Sequence, residues 1–153
     1  MPDIGKKVPS LKGVLHDGST LALADFRGQA VVVYFYPKDN TPGCTNEAHG
    51  FRDLYKQFRK AGCEIVGVSR DSSASHAKFR DKHALPFPLV ADTDETWCNA
   101  FGVLGEKTLY GRKFVGVIRS TFLVDAEGTL VEEWRNVRVP GHAAAVLERA
   151  TRL

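Results

Sequence analysis

Residues 30–37, AVVVYFYP, place seven apolar or aromatic side chains in succession before a proline. A strand with one wet face alternates in polarity, and this run does not, so it has to be covered on both faces. Directly after it the period changes. From Pro42 to about Lys60, Cys44, Ala48, Phe51, Leu54, Tyr55 and Phe58 fall on one helical stripe, and Gly62 follows where a helix would end. A doubly covered strand running into an amphipathic helix is the unit from which parallel sheets are built.

The rest of the chain repeats that unit. EIVGVSRD (64–71) and FPLVAD (87–92) read as further buried strands. Between them SSASHAKFRDKH reads as a helix opened by capping serines. DETWCNAF (94–101) is a short helix. SLKGVLHDGSTLAL (10–23) reads as a hairpin turned by Asp17-Gly18. FVGVIRSTFLVD and TLVEEWRN form a second hairpin through Ala126-Glu127-Gly128, and VPGHAAAVLERATRL closes the chain as a helix with Pro140 near its start. The expected fold is α/β: a central mixed sheet flanked by helices, parallel at its centre, with an N-terminal β-hairpin and a closing hairpin at one side. A single domain over 3–152 is expected, long enough to bury a core without disulfide staples.

Composition narrows the partners. Net charge is +3, from 21 basic and 18 acidic residues without a block of one sign. That is too mild to imply nucleic acid or an anionic membrane. No run of 18 apolar residues occurs, and MPDIGKKVPS lacks the apolar centre of a signal peptide. Three scattered cysteines do not form a secreted disulfide framework, so a reducing cytoplasm is expected. Cys44, Cys63 and Cys98 lack the close paired spacing of a zinc site. Histidines 16, 49, 76, 83 and 142 show no ligand motif, and His76 and His83 are read as solvated. No metal or organic cofactor is expected.

Attention then falls on Cys44. In open α/β sheets, sites form beyond the carboxyl ends of the strands, and residues 37 to 44 are such a turn. Thr41 suits the N-cap and Pro42 the first helical position, which places Cys44 in the first turn. The positive helix end and its unpaired N–H groups favour a thiolate there. Gly43 leaves the backbone amides open to a small substrate. The competing reading is a small buried core cysteine.

The stretch Pro37-Lys-Asp-Asn-Thr41-Pro-Gly-Cys44 resembles the peroxiredoxin pattern Pro-x-x-x-Thr-x-x-Cys. The wider YPKDNTPGCT is similar to the bacterioferritin comigratory, or Q-type, branch, as are GVSRDS, FPLVAD, GEKTLYGRKFVGVIRSTFLVD and VPGHA. The resemblance implies a thioredoxin-like fold and reduction of hydrogen peroxide or organic hydroperoxides by the Cys44 thiolate. It assigns the cation beside the sulfur to Arg119, which the sequence also flags, since an arginine within so apolar a strand needs a partner or an exit to solvent. Thr41 and the N–H groups of Gly43 and Cys44 are the local donors, and Pro37 shapes the pocket. Glu47, one turn on, either pairs with Arg119 or is an exposed first-turn glutamate.

Attack on a peroxide leaves a sulfenic acid that must meet a second thiol. Many members of this branch carry that thiol five residues after the first, where this chain has His49. Others carry it in the helix after the second strand, and SSASHAKFRDKH has none. Cys98 is a weak candidate and Cys63 a weaker one, both read first as buried filler. The expected cycle therefore uses one cysteine and an outside reductant: thioredoxin, glutaredoxin or glutathione. His49 is read as an exposed helix residue. The branch implies a monomer or weak homodimer. The rival function, a thiol–disulfide oxidoreductase of the same fold, requires Cys-x-x-Cys, and Thr41 stands in place of the first sulfur.

Overall fold

The computed structural model describes residues 2–153. The AVVVYF run forms β3 (Ala30–Phe35), buried along its whole length. It pairs in parallel with β4 (Cys63–Ser69), which pairs in parallel with β5 (Leu89–Ala91). The crossovers are α1 (Pro42–Lys60) and α2 (Ser73–Lys82). The N-terminal hairpin, β1 (Lys12–Leu15) and β2 (Thr20–Ala22), docks antiparallel on β5. On the other side β8 (Ser120–Val124) and β9 (Leu130–Arg135) add antiparallel strands to β3. The resulting sheet has seven strands in the order β2-β1-β5-β4-β3-β8-β9.

Side-chain alternation along β3 splits the core into two layers. Val31, Val33 and Phe35 pack with Val66, Val68, Phe122, and Trp97 and Phe101 of the short helix α3 (Thr96–Phe101). Val32, Tyr34 and Tyr36 pack on the opposite layer with Phe51 and Phe58 of α1, Phe79 of α2 and Val146 of α4 (His142–Ala150). The run lacks polar alternation because both layers are dry.

The stretch read as one strand, FVGVIRSTFLVD, is broken. Its first half is β7 (Arg112–Val117), which folds back on β6 (Leu104–Leu109) as a separate two-stranded ribbon. The ribbon turns at Tyr110 and Gly111, both at positive φ. Its first strand, LGEKTL, lacks alternating polarity, so β6 left no strand signature in the sequence. The break falls at Ile118–Arg119 and frees Arg119 from any strand.

Gly67 of β4 sits between Tyr34 of β3 and Leu89 of β5. A Cβ there would lie 2.7 Å from a Leu89 methyl and 3.1 Å from the Tyr34 ring, which itself stacks on Phe51 at 4.7 Å between centroids. Gly67→Ala is therefore expected to destabilise the fold by about 1–3 kcal/mol through overpacking. A lowered denaturant midpoint with unchanged slope checks this, and an unchanged midpoint contradicts it.

Candidate active site

β3 ends at Phe35, and the loop 36–41 carries the chain into α1. Thr41 takes the N-cap position with extended backbone (φ −86°, ψ 151°) and Pro42 opens the helix. The Thr41 side chain does not cap, however. Its hydroxyl donates to the Lys38 carbonyl at 2.8 Å. Gly43 and Cys44, in the first turn, have no acceptor four residues back, and no side chain caps this end. Cys44 itself is only 1 % exposed.

Register brings Arg119 to the same place. Ser120, the first residue of β8, pairs with Phe35, the last of β3, so Arg119 lies one step beyond the carboxyl end of β3. Its carbonyl accepts from Val137 N–H at 3.0 Å. One guanidinium nitrogen, Nη2, donates to Cys44 Sγ at 3.3 Å, and the other, Nη1, to Glu47 Oε1 at 2.7 Å. The space left by Gly43 is taken by this group: a Cβ there would sit 3.2 Å from Arg119 Nη2. Glu47, one turn past Cys44, is buried, which removes the exposed-glutamate reading. Pro37 is half-buried at the start of the loop.

The electrostatics follow from burial. Removal from water pushes the Glu47 carboxyl up to about 7, and Arg119 only partly offsets it. Burial works against the Arg119 charge too, but Glu47 and the Cys44 sulfur more than compensate and raise its pKa further. Among the described residues, Glu47 Oε2 and the fully buried Tyr34 hydroxyl have no hydrogen-bond partner. His142 is held down to about 4 by burial and by Arg119, so it is neutral, bonded to the Thr121 hydroxyl at 2.8 Å. Half-buried Lys107 of β6 was not singled out in the sequence; burial lowers its pKa, Arg119 lowers it further, and the Cys44 sulfur acts in the opposite sense. A ribbon invisible to periodicity thus brings a second cation within electrostatic reach of Arg119 and the Cys44 sulfur.

The other thiols are elsewhere. Cys63 pairs with Ala30 at the opposite end of β3, five residues or about 16 Å of strand from Phe35. Burial, followed by Glu64, pushes its thiol up to about 12. Cys98 lies in the other core layer, across the sheet from Cys44. Its thiol is also raised, by burial first and then by Asp92.

The histidines differ from their expected exposure. His49 is half-buried, and its Nε2 lies 2.9 Å from Nδ1 of His83. His83 is half-buried as well, and its pKa is lowered by burial and by His49. His76 is wholly buried, not solvated as its place on a polar helix implied. It faces inward because Asp39, a residue of the active-site loop, receives it at 2.7 Å. Donor atoms of Asp39, Asp71 and His76 converge within 4.8 Å, but the carboxylates already accept from Tyr36, Ser69, Ser75 and the Asp39 N–H. Internal donors fill this cluster.

Residues 4–133 match the AhpC/TSA family. Peroxiredoxin Bcp of Xanthomonas campestris pv. campestris is 51 % identical over 133 residues, 87 % of this chain and 83 % of that protein. A mutant PrxQ of Xylella fastidiosa superposes with a TM-score of 0.94 at 41 % identity, covering 99 % of this chain and 97 % of that one. The bacterioferritin comigratory protein of Xanthomonas campestris, whose structures were solved to explain its alkyl peroxide reduction, superposes at 0.89 with 48 % identity, over 93 % and 90 % of the two chains. The fold is thus the thioredoxin-like one of these structures. The chain belongs to the AhpC/TSA family and, within it, to the bacterioferritin comigratory or Q-type peroxiredoxins.

Proposed function

We propose that this peroxiredoxin reduces hydrogen peroxide and organic hydroperoxides through Cys44, and that an outside thiol returns the enzyme to its starting state. The observation that carries the site assignment is the Arg119 guanidinium, held by Glu47 and laid against the Cys44 sulfur in the first turn of α1. The alkyl peroxide reduction of the Xanthomonas campestris protein supports the substrate class.

The ionised Cys44 sulfur attacks the nearer oxygen of ROOH and the O–O bond breaks. Sulfur becomes S–OH, and RO⁻ leaves and takes up a proton. Charge grows on the departing oxygen, where Arg119 and the N–H groups of Gly43 and Cys44 stand as preorganised donors. Thr41 acts in the opposite sense from the expected donor. Its proton is committed to Lys38, so its oxygen accepts from the peroxide O–H and orients the substrate. An outside thiol then attacks the sulfenic sulfur, water leaves, and a second reductant thiol attacks the first, releasing Cys44 as a thiolate and leaving the reductant as its disulfide. With Cys44 only 1 % exposed, the first turn of α1 has to open before a protein thiol arrives.

Thioredoxin, glutaredoxin and glutathione are the proposed reductant classes. The proposed setting is the cytoplasm, with the chain acting as one domain over 3–152, a monomer or weak homodimer. No helix among the described residues is long and apolar enough to cross a membrane.

Cys44→Ser is expected to abolish peroxide consumption, and Arg119→Ala to slow the oxidation step about a hundredfold or more, roughly 3 kcal/mol. Stopped-flow measurement under single turnover checks both; an Arg119→Ala rate near wild type contradicts the site assignment. Cys63→Ser and Cys98→Ser are expected to turn over normally. Intact mass after one equivalent of peroxide is expected to show one added oxygen that disappears on adding thiol, whereas an internal disulfide would overturn the one-cysteine cycle.

Glu47 sets a pH dependence. Its carboxyl is raised from 4.5 to about 7 in the folded protein, so between those values the native state keeps a proton that the unfolded chain has lost. Stability from this group is complete below about 4.5 and falls as pH rises through 7. Glu47→Gln removes the titration. The stability of wild type relative to this variant is expected to fall from pH 4.5 to 7 by on the order of 3 kcal/mol. A flat difference in denaturation free energy across that range contradicts it.

A further inference from the structure

The loop between β3 and α1 contains Asn40 at φ 63°, a left-handed conformation that its surroundings must impose. Asp39 is the anchor. Its Oδ1 accepts from the Tyr36 hydroxyl at 2.7 Å, and its Oδ2 accepts from Ser75 at 2.8 Å and faces His76 Nδ1 at 2.7 Å. The other ring nitrogen of His76 lies 2.9 Å from the Val90 carbonyl. A carbonyl only accepts, so that nitrogen carries a proton, and a second proton lies between Nδ1 and the carboxylate. His76, with no exposed surface, thereby ties the loop to β5.

What the anchor holds is one peptide group. The N–H of Asp39 donates to Asp71 Oδ2 at 2.9 Å, and Asp71 is itself fixed by the Ser69 hydroxyl. The carbonyl of that same peptide, Lys38 C=O, receives the Thr41 hydroxyl at 2.8 Å. The plane of the Lys38–Asp39 peptide therefore decides where the Thr41 proton points, and so which way the oxygen's lone pairs face. A rotated peptide would turn the carbonyl away and let Thr41 cap the helix amides instead.

We propose that His76 is a positioning residue for peroxide reduction, holding Asp39 and the Lys38–Asp39 peptide so that the Thr41 oxygen accepts from the bound hydroperoxide. This rests on the peroxidase reading and on the role given there to Thr41. His76 touches neither sulfur nor substrate in this scheme. Its effect is confined to peroxide geometry and leaves the nucleophilicity of Cys44 alone.

That separation defines the test. His76→Phe keeps a ring and removes both bonds, and it is expected to lower kcat/KM for hydrogen peroxide about tenfold or more. Alkylation of Cys44 by iodoacetamide needs no peroxide acceptor and is expected to stay within about twofold. In a Thr41→Val background, His76→Phe is expected to add no more than about twofold, because both changes remove the same orientation. His76→Gln, which retains one donor, is expected to recover part of the loss, and it carries the same cycle if the phenylalanine variant does not fold. Losses that multiply in the double variant, alkylation that falls in step with peroxide reduction, or an unchanged peroxide rate would overturn the proposal. A wild-type protein that consumes no peroxide would instead remove the peroxidase reading itself.

Discussion

The arrangement depends on one half-buried cation being shared. Arg119 presents one nitrogen to the buried Glu47 carboxylate and another to the buried Cys44 sulfur. A guanidinium suits this because its planar fork spans two acceptors while keeping its charge. A lysine would offer a single point of charge to one of them. Desolvating such a group is expensive, and Glu47 offsets that only at the cost of being buried itself, as its raised pKa records. Selection for stability alone would favour hydrophobic packing here. The ion pair makes sense as a device for keeping positive charge beside a reacting sulfur.

The fold brings these parts together by register. Cys44 and Arg119 lie 75 residues apart, yet both follow from the carboxyl end of β3, one through the loop into α1 and the other as the residue before β8. Because β8 runs antiparallel to β3, its entrance lies beside the exit of β3. The break between β7 and β8 turns what would be a solvent-facing or core-facing strand position into one aimed at the helix N-terminus. Gly43 completes the approach, since a side chain there would press on the guanidinium.

Much of this was legible in residue pattern. The unbroken AVVVYF run announced a strand covered on both faces, the stripe from Pro42 announced α1, and Asp17-Gly18 announced the first turn. Cys44 at a helix start and an arginine in an apolar setting pointed to two side chains that the fold brings together. Three features were hidden. The β6–β7 ribbon has no alternating apolar face, so periodicity could not reveal it or Lys107. His76 sits on a helix rich in charge, and its burial is explained by Asp39, 37 residues away in sequence. Thr41 has the right identity for a cap, but a carbonyl three residues back competes for its proton. The last two are cases of a long-range or loop hydrogen bond overriding a local preference.

The two remaining cysteines sit in surroundings that keep their thiols neutral. Cys63 and Cys98 are as inaccessible as Cys44, so exposure does not distinguish the three. What differs is the company. Cys44 has a guanidinium; Cys63 has apolar walls and Glu64, and Cys98, though it too stands third in a helix, has Asp92, so both are held in the neutral thiol form. In the proposed cycle they therefore do not compete for peroxide. The sheet also keeps them from resolving what Cys44 becomes. A disulfide needs Cα atoms within about 7 Å. Joining Cys44 to Cys98 would carry one of them through a buried seven-stranded sheet, and joining it to Cys63 would carry it the length of β3. Opening the first turn of α1 crosses no strand, and its N-terminal amides lack a side-chain cap, while Arg119 holds the turn through Glu47 and Cys44. In the proposed cycle the oxidised sulfur thus has its shortest route outward, to a thiol on another molecule, and the pair that helps hold the turn closed is the one assigned to the chemistry.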